Sequence, residues 1–502
     1  MNYKMIGYTL GQVLIFEALF LAVPAITAIC YFEWTALLSA LGTAALCVLC
    51  GFILSRLKPQ NKKLLAKDGL VIVSLSWIVM SLFGALPFVF SGSIPNYIDA
   101  LFETVSGFTT TGSSILSGNQ LTNMPHAMVI WRSFTNWVGG MGVLVFVMAI
   151  LPLSGAENMH IMKAESPGPT VSKLVPRVRK TAIILYFIYF VMTMILFITL
   201  LFDNVVGSDA KYKMGVFEAL CTAFSTAGTG GFGVKPDSIL SFSPFVQIVC
   251  TVGMFLFSIN FNTYYLILRL KFREAFNSEV RIFLIIVATA IVTVSLNIFL
   301  TQSVGGASLG EAIRHAAFMV VSIISTTGFA TVDFNAWPIL ALTVITILMF
   351  IGGCAGSTAG GIKVSRIVIL IKGMFRELSS QIRPNQVKRI NIDGRPVERE
   401  VIRTVNAYII TFVLIFASSI ILLSFDPYEY ILQDGSKLVT NFTAVTTTLN
   451  NVGPGLDMVG PTQNFAFFSP LSKLVLIFDM LAGRLELFPM LILFAPVTWK
   501  KT

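Results

Sequence analysis

The sequence predicts an all-α integral membrane protein in which four helix–pore-loop–helix repeats surround a central pore, preceded by two extra transmembrane helices. Of the 502 residues, 55% are apolar and only 12% are charged, whereas soluble domains carry about 25% charged residues. Apolar segments recur at about the 20-residue length that a helix needs to cross ~30 Å of hydrocarbon. A short stretch of small polar residues with a glycine also occurs four times between long apolar segments.

The two extra helices are predicted near 6–31 and 35–55, within an N-terminal extension of residues 1–67. Each repeat is then predicted to contain an outer helix, a short helix that dips into the membrane, a glycine-containing stretch and an inner helix. The repeats, with these three helices, are 68–180 (69–91, 97–108 and 126–151), 181–278 (181–202, 213–226 and 243–270), 279–398 (280–301, 310–324 and 337–374) and 399–502 (402–424, 436–448 and 470–496).

The four glycine-containing stretches are the strongest indication of a pore. They read Thr109-Thr110-Thr111-Gly112-Ser113, Ala227-Gly228-Thr229-Gly230-Gly231, Ser325-Thr326-Thr327-Gly328-Phe329 and Asn450-Asn451-Val452-Gly453-Pro454. A segment that turns successive carbonyl groups toward one axis needs backbone angles that glycine adopts readily, and the neighbouring threonines can add hydroxyl oxygens. One such stretch would be typical of an extracellular turn. Four in register favour a ring of carbonyl oxygens that replaces the water shell of a monovalent cation.

The third inner helix is predicted to be interrupted by a loop. Residues 352–361 contain five glycines, which destabilise a helix in the middle of a span, and no comparable cluster lies in the other three inner helices. A flexible loop in one of four pore-lining helices is a candidate gate. The alternative is close helix packing of the GxxxG kind through Gly352 and Gly356. Lys363 follows the loop and either faces the pore or extends to the inner interface.

Arg484 is the other unusual charge, because it lies within the last apolar segment. A buried arginine is energetically costly, so it is usually functional or paired. In the functional interpretation it lies on the pore axis and forms an electrostatic barrier to cations. In the structural interpretation it pairs with Glu486, Asp479 or a helix carbonyl group. The sequence leaves both open.

The formal net charge of +10 arises mainly on one predicted side of the membrane. Ten Lys and Arg residues fall within 363–403 alone. An excess of basic residues marks cytoplasmic loops, so we expect both termini to be cytoplasmic. The charge therefore indicates topology rather than nucleic-acid binding.

Six motifs resemble those of the TrkH-type members of the Trk/Ktr/HKT superfamily of potassium transporters. They are Phe102–Gly112 (FETVSGFTTTG), Phe217–Phe232 (FEALCTAFSTAGTGGF), Ser325–Ala330 (STTGFA), Gly352–Lys363 (GGCAGSTAGGIK), Leu449–Gly455 (LNNVGPG) and Gly483–Phe488 (GRLELF). The resemblance covers nearly the whole chain and implies a potassium-selective ion-conducting subunit in the bacterial inner membrane.

The resemblance also implies roles for individual residues. The selectivity filter would comprise Thr110, Thr111, Gly112, Thr229, Gly230, Thr327, Gly328, Val452 and Gly453. The backbone carbonyl groups of all of these except Thr110 would bind potassium. In the second repeat Gly228 competes with Gly230, and the TGGF context favours Gly230. The gate would comprise Gly352, Gly353, Gly356, Ser357, Thr358, Gly360, Gly361, Lys363 and Arg484. Such proteins form homodimers and bind TrkA, a cytoplasmic RCK-type nucleotide-binding subunit, for which the basic inner loops including 376–403 are candidate docking surfaces.

Two other functions are weighed against a passive pore. A potassium symporter coupled to protons or sodium would need an acidic group or ion site at the midplane, and the candidates are Glu17, Asp479 and Glu486. An intramembrane enzyme is not expected, because the three histidines form no HExxH motif and the polar residues suggest no catalytic pair. No cofactor is expected in this chain, so control by a nucleotide would come from a partner.

Overall fold

The computed structural model describes residues 1–57, 66–142, 178–203, 213–302, 308–384, 389–428 and 436–500. The N-terminal extension forms α1 (Tyr3–Phe20), α2 (Ala22–Cys30) and α3 (Trp34–Ser55). The predicted helix 6–31 is thus divided at Leu21. Pro24 lies in the first turn of α2, where its missing N–H group is tolerated, whereas in an uninterrupted helix it would remove a backbone hydrogen bond.

The other helices form four units with a common order, which we call units 1 to 4 (residues 66–140, 178–275, 278–382 and 399–499). Unit 1 contains α4 (Ala66–Gly84), α5 (Leu86–Phe90), α6 (Tyr97–Phe108), α7 (Gly118–Thr122) and α8 (His126–Gly140). Unit 2 contains α9 (Val178–Leu201), α10 (Val216–Gly228), α11 (Pro244–Phe257), α12 (Phe261–Leu268) and α13 (Phe272–Ala275).

Unit 3 contains α14 (Ser278–Thr301), α15 (Leu309–Ile324), α16 (Ile339–Ile351) and α17 (Val364–Ile382). A small antiparallel hairpin follows, in which β1 (Asn391–Ile392) pairs with β2 (Arg395–Pro396). Unit 4 contains α18 (Arg399–Ser424), α19 (Lys437–Leu449), α20 (Pro470–Arg484), α21 (Phe488–Ile492) and α22 (Pro496–Trp499). Single 3₁₀ turns at Phe334–Ala336 and Asp457–Val459 lie between the short and inner helices of units 3 and 4.

Among the described residues, six helices are long and apolar enough to cross a membrane, or seven if the bent pair α11 and α12 counts as one span. The short helices α6, α10, α15 and α19 have 12 to 16 residues. At ~1.5 Å per residue they are too short to span the hydrocarbon. That these short helices dip into the membrane and return stays a prediction from the sequence.

The inner helices differ from prediction, because a break is not confined to unit 3. The predicted helix 243–270 bends by 87° between α11 and α12. The predicted helix 470–496 ends at Arg484, and Pro489 opens the next short helix, where a proline cannot continue the preceding helix. In unit 1 the inner helix ends at Gly140, and the predicted extension from 143 to 151 lies outside the described residues. The prediction of one interrupted inner helix is therefore wrong.

Candidate pore and gate

All four short helices end in the same backbone turn. One residue of this turn has a positive φ in each unit, and these residues are Thr110 (55°), Thr229 (53°), Thr326 (55°) and Asn451 (55°). In unit 1, the N–H of Thr110 donates to the carbonyl of Gly107, and the N–H of Thr111 donates to that of Ser106. The other units repeat both hydrogen bonds at the same spacing. This is the Schellman arrangement, and it gives an alignment of the four units that is independent of sequence.

That alignment corrects the register of unit 2. Two residues after this positive-φ residue, each unit has a glycine that also has a positive φ: Gly112 (83°), Gly231 (65°), Gly328 (83°) and Gly453 (102°). Gly231 therefore corresponds to the other three glycines, whereas the TGGF context in the sequence favours Gly230. Gly228 is the last residue of α10. Gly230 occupies the position of Thr111, Thr327 and Val452. Gly230 and Gly231 are adjacent in the sequence, and the backbone angles are what distinguish their positions.

The four glycine segments (110–112, 229–231, 326–328 and 451–453) form a closed ring. A Cβ atom at Gly112 would collide with the carbonyl oxygen of Gly230 in unit 2. The same holds for Gly231 against Thr327 of unit 3, and for Gly328 against Val452 of unit 4. A Cβ atom at Gly453 would lie 2.8 Å from the carbonyl oxygen of Thr111, which returns to unit 1. Each glycine thus lets one segment approach the next closely.

Side chains also join the segments. The Ser113 hydroxyl donates to the carbonyl oxygen of Gly453 at 3.0 Å. The Asn451 side-chain amide donates to the Thr111 hydroxyl and to the Met480 carbonyl oxygen, both at 2.9 Å. The Thr111 hydroxyl also contacts that of Thr109 at 2.7 Å. The hydroxyl of Thr111 is therefore engaged with neighbouring protein groups.

The predicted loop of unit 3 runs from Gly352 to Lys363 between α16 and α17, and it packs into the break of unit 2. The Cys354 N–H donates to the Ser258 carbonyl oxygen at 3.0 Å, and the Phe261 N–H donates to the Gly356 carbonyl oxygen at 3.0 Å. The Thr358 hydroxyl donates to the Phe257 carbonyl oxygen at 3.1 Å. Backbone groups freed by the bend between α11 and α12 are thus satisfied by the loop.

The same loop touches two glycine segments and the residue before one of them. The Gly361 N–H donates to the Asn450 carbonyl oxygen at 2.9 Å, and the Gly360 N–H donates to the Thr326 hydroxyl at 2.6 Å. A Cβ atom at Gly360 would collide with the Asn450 carbonyl oxygen and lie 3.0 Å from the Cβ of Asn451. The loop is therefore packed against the C-terminal ends of the short helices of units 3 and 4.

Polar groups hold the two ends of the loop. The Glu279 carboxylate accepts the N–H groups of Ala355 at 2.7 Å and Ser365 at 3.2 Å. The Lys363 ammonium is buried and donates to the Ala359 carbonyl oxygen within the loop, so it does not extend to the inner interface. The N–H of Val364 donates to the Gly353 carbonyl oxygen at 3.2 Å.

Internal hydrogen bonds and tight backbone approaches also shape the loop. The Ser357 hydroxyl donates to the Cys354 carbonyl oxygen at 2.7 Å. Gly352 and Gly361 adopt positive φ values of 70° and 77°. A Cβ atom at Gly352 would overlap with Gly360 and Gly361, and a Cβ atom at Gly361 would overlap with Gly352. The glycines thus form a tight, folded-back loop, whereas a GxxxG helix contact would require a continuous helix.

Arg484 lies at the C-terminal end of α20 and connects the loop to unit 1. Its guanidinium donates to the Thr358 carbonyl oxygen at 2.8 Å, to the Gly140 carbonyl oxygen at 2.8 Å, and to that of Gly139. Of the partners predicted for it, the helix carbonyl is the type observed. A cation at the end of α8 is also favoured by the helix dipole.

The three acidic residues considered for coupling lie in separate places. Glu486 pairs with Arg366 at 2.5 Å, and this arginine also lies over the ring of Tyr408 at 4.2 Å. Asp479 accepts the hydroxyl of Ser419 at 2.8 Å. Glu17 is fully buried in α1. Among the described residues, no group of three or more His, Cys, Asp or Glu side chains could hold a metal ion.

Comparison with known proteins gives a consistent result. The TrkH family model, described as a cation transport protein, matches residues 40–501. The Trk system potassium uptake protein TrkH of Escherichia coli K12 is 35% identical over 450 residues, or 88% of each chain. Its counterpart in Halomonas elongata is 32% identical over 512 residues and covers 100% of each chain.

A solved structure supports the same relationship. The crystal structure of the potassium transporter TrkH from Vibrio parahaemolyticus has a TM-score of 0.85 and 29% sequence identity, with 100% of each chain covered. The predicted all-α membrane fold is therefore confirmed.

Proposed function

We propose that this chain, which belongs to the TrkH family of cation transport proteins, is the potassium-selective ion-conducting subunit of a bacterial potassium uptake system. It is a transport protein and not an enzyme. Potassium is supported as cargo by relatives named as Trk system potassium uptake proteins. The observation that carries the proposal is the closed ring of four glycine segments, each with a glycine against a carbonyl group of the next unit.

The filter we propose binds potassium through the carbonyl oxygens of Thr111, Gly230, Thr327 and Val452. These groups occupy equivalent positions in the four units. An entering ion would lose its water shell and gain carbonyl oxygens in return, so that binding and release remain balanced. The Schellman turns and the interlocked glycines fix the backbone before the ion arrives, and little reorganisation is then needed on binding.

The gate we propose is the loop from Gly352 to Lys363 together with Arg484. Hydrogen bonds from Gly360 to Thr326 and from Gly361 to Asn450 hold the loop against the C-terminal ends of the short helices of units 3 and 4. Arg484 joins the loop to the end of α8, and its positive charge would oppose the passage of a cation. Opening would require the loop to leave these contacts. The loop continues directly into α17, so a force on α17 would reach the gate.

The partner we propose is a cytoplasmic RCK-type nucleotide-binding subunit, TrkA, that acts on the basic inner surface. The positive side chains of 376–403 support this surface. Lys372 of α17 donates to the Asn391 carbonyl oxygen at 2.8 Å, which connects α17 to the β-hairpin at the same surface. A homodimer in the bacterial inner membrane, with both termini cytoplasmic, completes the proposal. The limits of the four predicted repeats stay a prediction.

The test is cation flux into liposomes that contain the purified protein alone, driven by a potassium gradient. Sodium and a pH gradient are separate variables. Potassium or rubidium influx that sodium does not replace, and that needs neither a sodium nor a proton gradient, supports the selective pore. Influx that stops without one of those gradients contradicts it and favours the symporter.

A further inference from the structure

A buried ion pair lies beside the glycine segment of unit 1. The Arg132 guanidinium, on the inner helix α8, contacts one carboxylate oxygen of Glu103, on the short helix α6, through two nitrogens at 2.7 Å. The side chains are only 3% and 0% exposed. A buried charge pair needs further hydrogen bonds to offset the loss of water, and the structure supplies these from the chain that leaves the glycine segment.

Glu103 binds the backbone that follows Gly112. Its second carboxylate oxygen accepts the Ile115 N–H at 3.0 Å. The Ser114 hydroxyl donates to both carboxylate oxygens, at 3.0 and 3.1 Å. A carboxylate is a stronger acceptor than a neutral group. The path of residues 112–115 is thus set by a charged group inside unit 1.

Arg132 extends from this carboxylate to unit 2. Its guanidinium lies over the ring of Phe232, 4.3 Å from the ring centroid, and it donates to the Gly233 carbonyl oxygen at 3.4 Å. These two residues directly follow Gly231. The pair therefore connects the chain after the glycine of unit 1 to the chain after the glycine of unit 2.

The other units have no carboxylate at this position. Glu103 precedes Thr110 by seven residues, and the residues at the same distance before Thr229, Thr326 and Asn451 are Thr222, Met319 and Ala444. In unit 4 a neutral group does similar work, since the Thr443 hydroxyl accepts the Leu456 N–H at 3.1 Å. The charged connection thus makes one side of an otherwise fourfold ring different.

We propose that Arg132 and Glu103 are positioning residues that determine cation specificity, which rests on the proposed function of the ring as a potassium filter. They hold the glycine segments of units 1 and 2 at the separation that suits potassium. Loosening the pair would let these two segments move together around a smaller ion. If the pair only stabilised the fold, its loss would change the yield and the total flux but would leave the selectivity ratio intact.

The experiment measures rubidium and sodium influx separately in liposomes that contain the full-length protein. Glu103→Gln keeps the shape and removes the charge, and Arg132→Lys keeps the charge and removes the planar two-nitrogen contact. We expect each substitution to lower the rubidium-to-sodium ratio by about tenfold, because each weakens a strong charge-assisted contact. The control is Asp99→Asn, which breaks the ion pair of Asp99 with Lys473 at 2.6 Å. Asp99 lies on the same short helix but contacts the inner helix of unit 4.

A lowered ratio in Glu103→Gln and Arg132→Lys, with an unchanged ratio in Asp99→Asn, supports the inference. An unchanged ratio in both, whatever the total flux, overturns it. If Glu103→Gln does not fold, Ser114→Ala removes the hydroxyl that donates to both carboxylate oxygens of Glu103 and keeps the pair. A ratio lowered in Ser114→Ala supports the inference, and an unchanged ratio overturns it. A wild-type protein without preference for rubidium would instead contradict the proposed function itself.

Discussion

Gly231 of unit 2 lies so close to Thr327 of unit 3 that a Cβ atom at position 231 would collide with the Thr327 carbonyl oxygen. The relationship recurs around the ring between successive units. The requirement for glycine is therefore twofold, because the position needs both a positive φ and the absence of a side chain. The four units differ in sequence, but each has a glycine that meets these two requirements at the equivalent position.

Replacing Gly231 by alanine tests the register. We expect Gly231→Ala to lower the potassium-to-sodium flux ratio by about tenfold or to abolish flux, because backbone strain and a collision with a carbonyl group cannot be relieved by a rotamer change. Gly230→Ala should be milder. Its φ is not positive, and the nearest atoms to its Cβ would be those of the Asn136 side chain.

The matched control adds Asn136→Ala to each variant, and flux is measured in liposomes. This second change should restore flux to Gly230→Ala and leave Gly231→Ala impaired. Rescue of Gly231→Ala, or a greater loss of selectivity in Gly230→Ala, would show that the register is wrong.

Some of this arrangement can be predicted from sequence because its signals are local. The short helix predicted over 97–108 is observed as Tyr97–Phe108, where the Asn96 side chain caps the first turn. The loop of unit 3 is predicted because its glycines cluster. Both follow from residue types within about a turn of the feature.

Other features depend on contacts between distant residues. The bend between α11 and α12 exposes the Ser258 carbonyl and the Phe261 N–H, which are satisfied by Cys354 and Gly356 of another unit. The sequence of residues 243–270 alone does not reveal these partners, because they belong to unit 3. The role of Arg132 also depends on distant residues, because its guanidinium contacts Glu103 and Phe232 in two other elements.

Arg484→Gln should raise flux. The wild-type guanidinium donates to carbonyl oxygens of Thr358, Gly139 and Gly140, and charged hydrogen bonds contribute about 1.5–3 kcal/mol each. A loss of about 1.4 kcal/mol from the closed state would raise the open fraction about tenfold. The measurement is basal rubidium influx without a partner protein. The control is Arg281→Gln, which removes an exposed arginine that pairs with Asp393 at 3.8 Å. Equal or lower influx in Arg484→Gln would contradict its role in closure.

Glu279→Gln should also favour opening, because a neutral amide oxygen accepts the N–H groups of Ala355 and Ser365 less strongly than the carboxylate. The difference of about 1 kcal/mol corresponds to roughly a fivefold rise in basal influx. The selectivity ratio should stay at the wild-type value, since these contacts are in the loop. Glu274→Gln is the control, because Glu274 pairs with Lys271 on the exposed surface. Influx that is unchanged in Glu279→Gln would mean that the loop does not limit conduction.

The Arg366–Glu486 pair should couple units 3 and 4 energetically. We expect a double-mutant cycle of Arg366→Met and Glu486→Gln to give an interaction free energy of about 1–3 kcal/mol, as for directly contacting residues. The pair is largely buried, and Arg366 also lies over Tyr408. The free energy of unfolding of the four proteins in the cycle is measured by thermal unfolding in detergent micelles. Additive effects of the two single changes would show that the contact contributes no coupling.

The proposed filter is tested by a crystal structure with thallium in place of potassium, repeated at the same thallium concentration in excess sodium. We expect an anomalous peak on the axis of the ring, equidistant from the carbonyl oxygens of Thr111, Gly230, Thr327 and Val452, that persists in excess sodium. A ring without a thallium peak, or a peak only at another site in the protein, would contradict the claim that these four segments form the potassium filter.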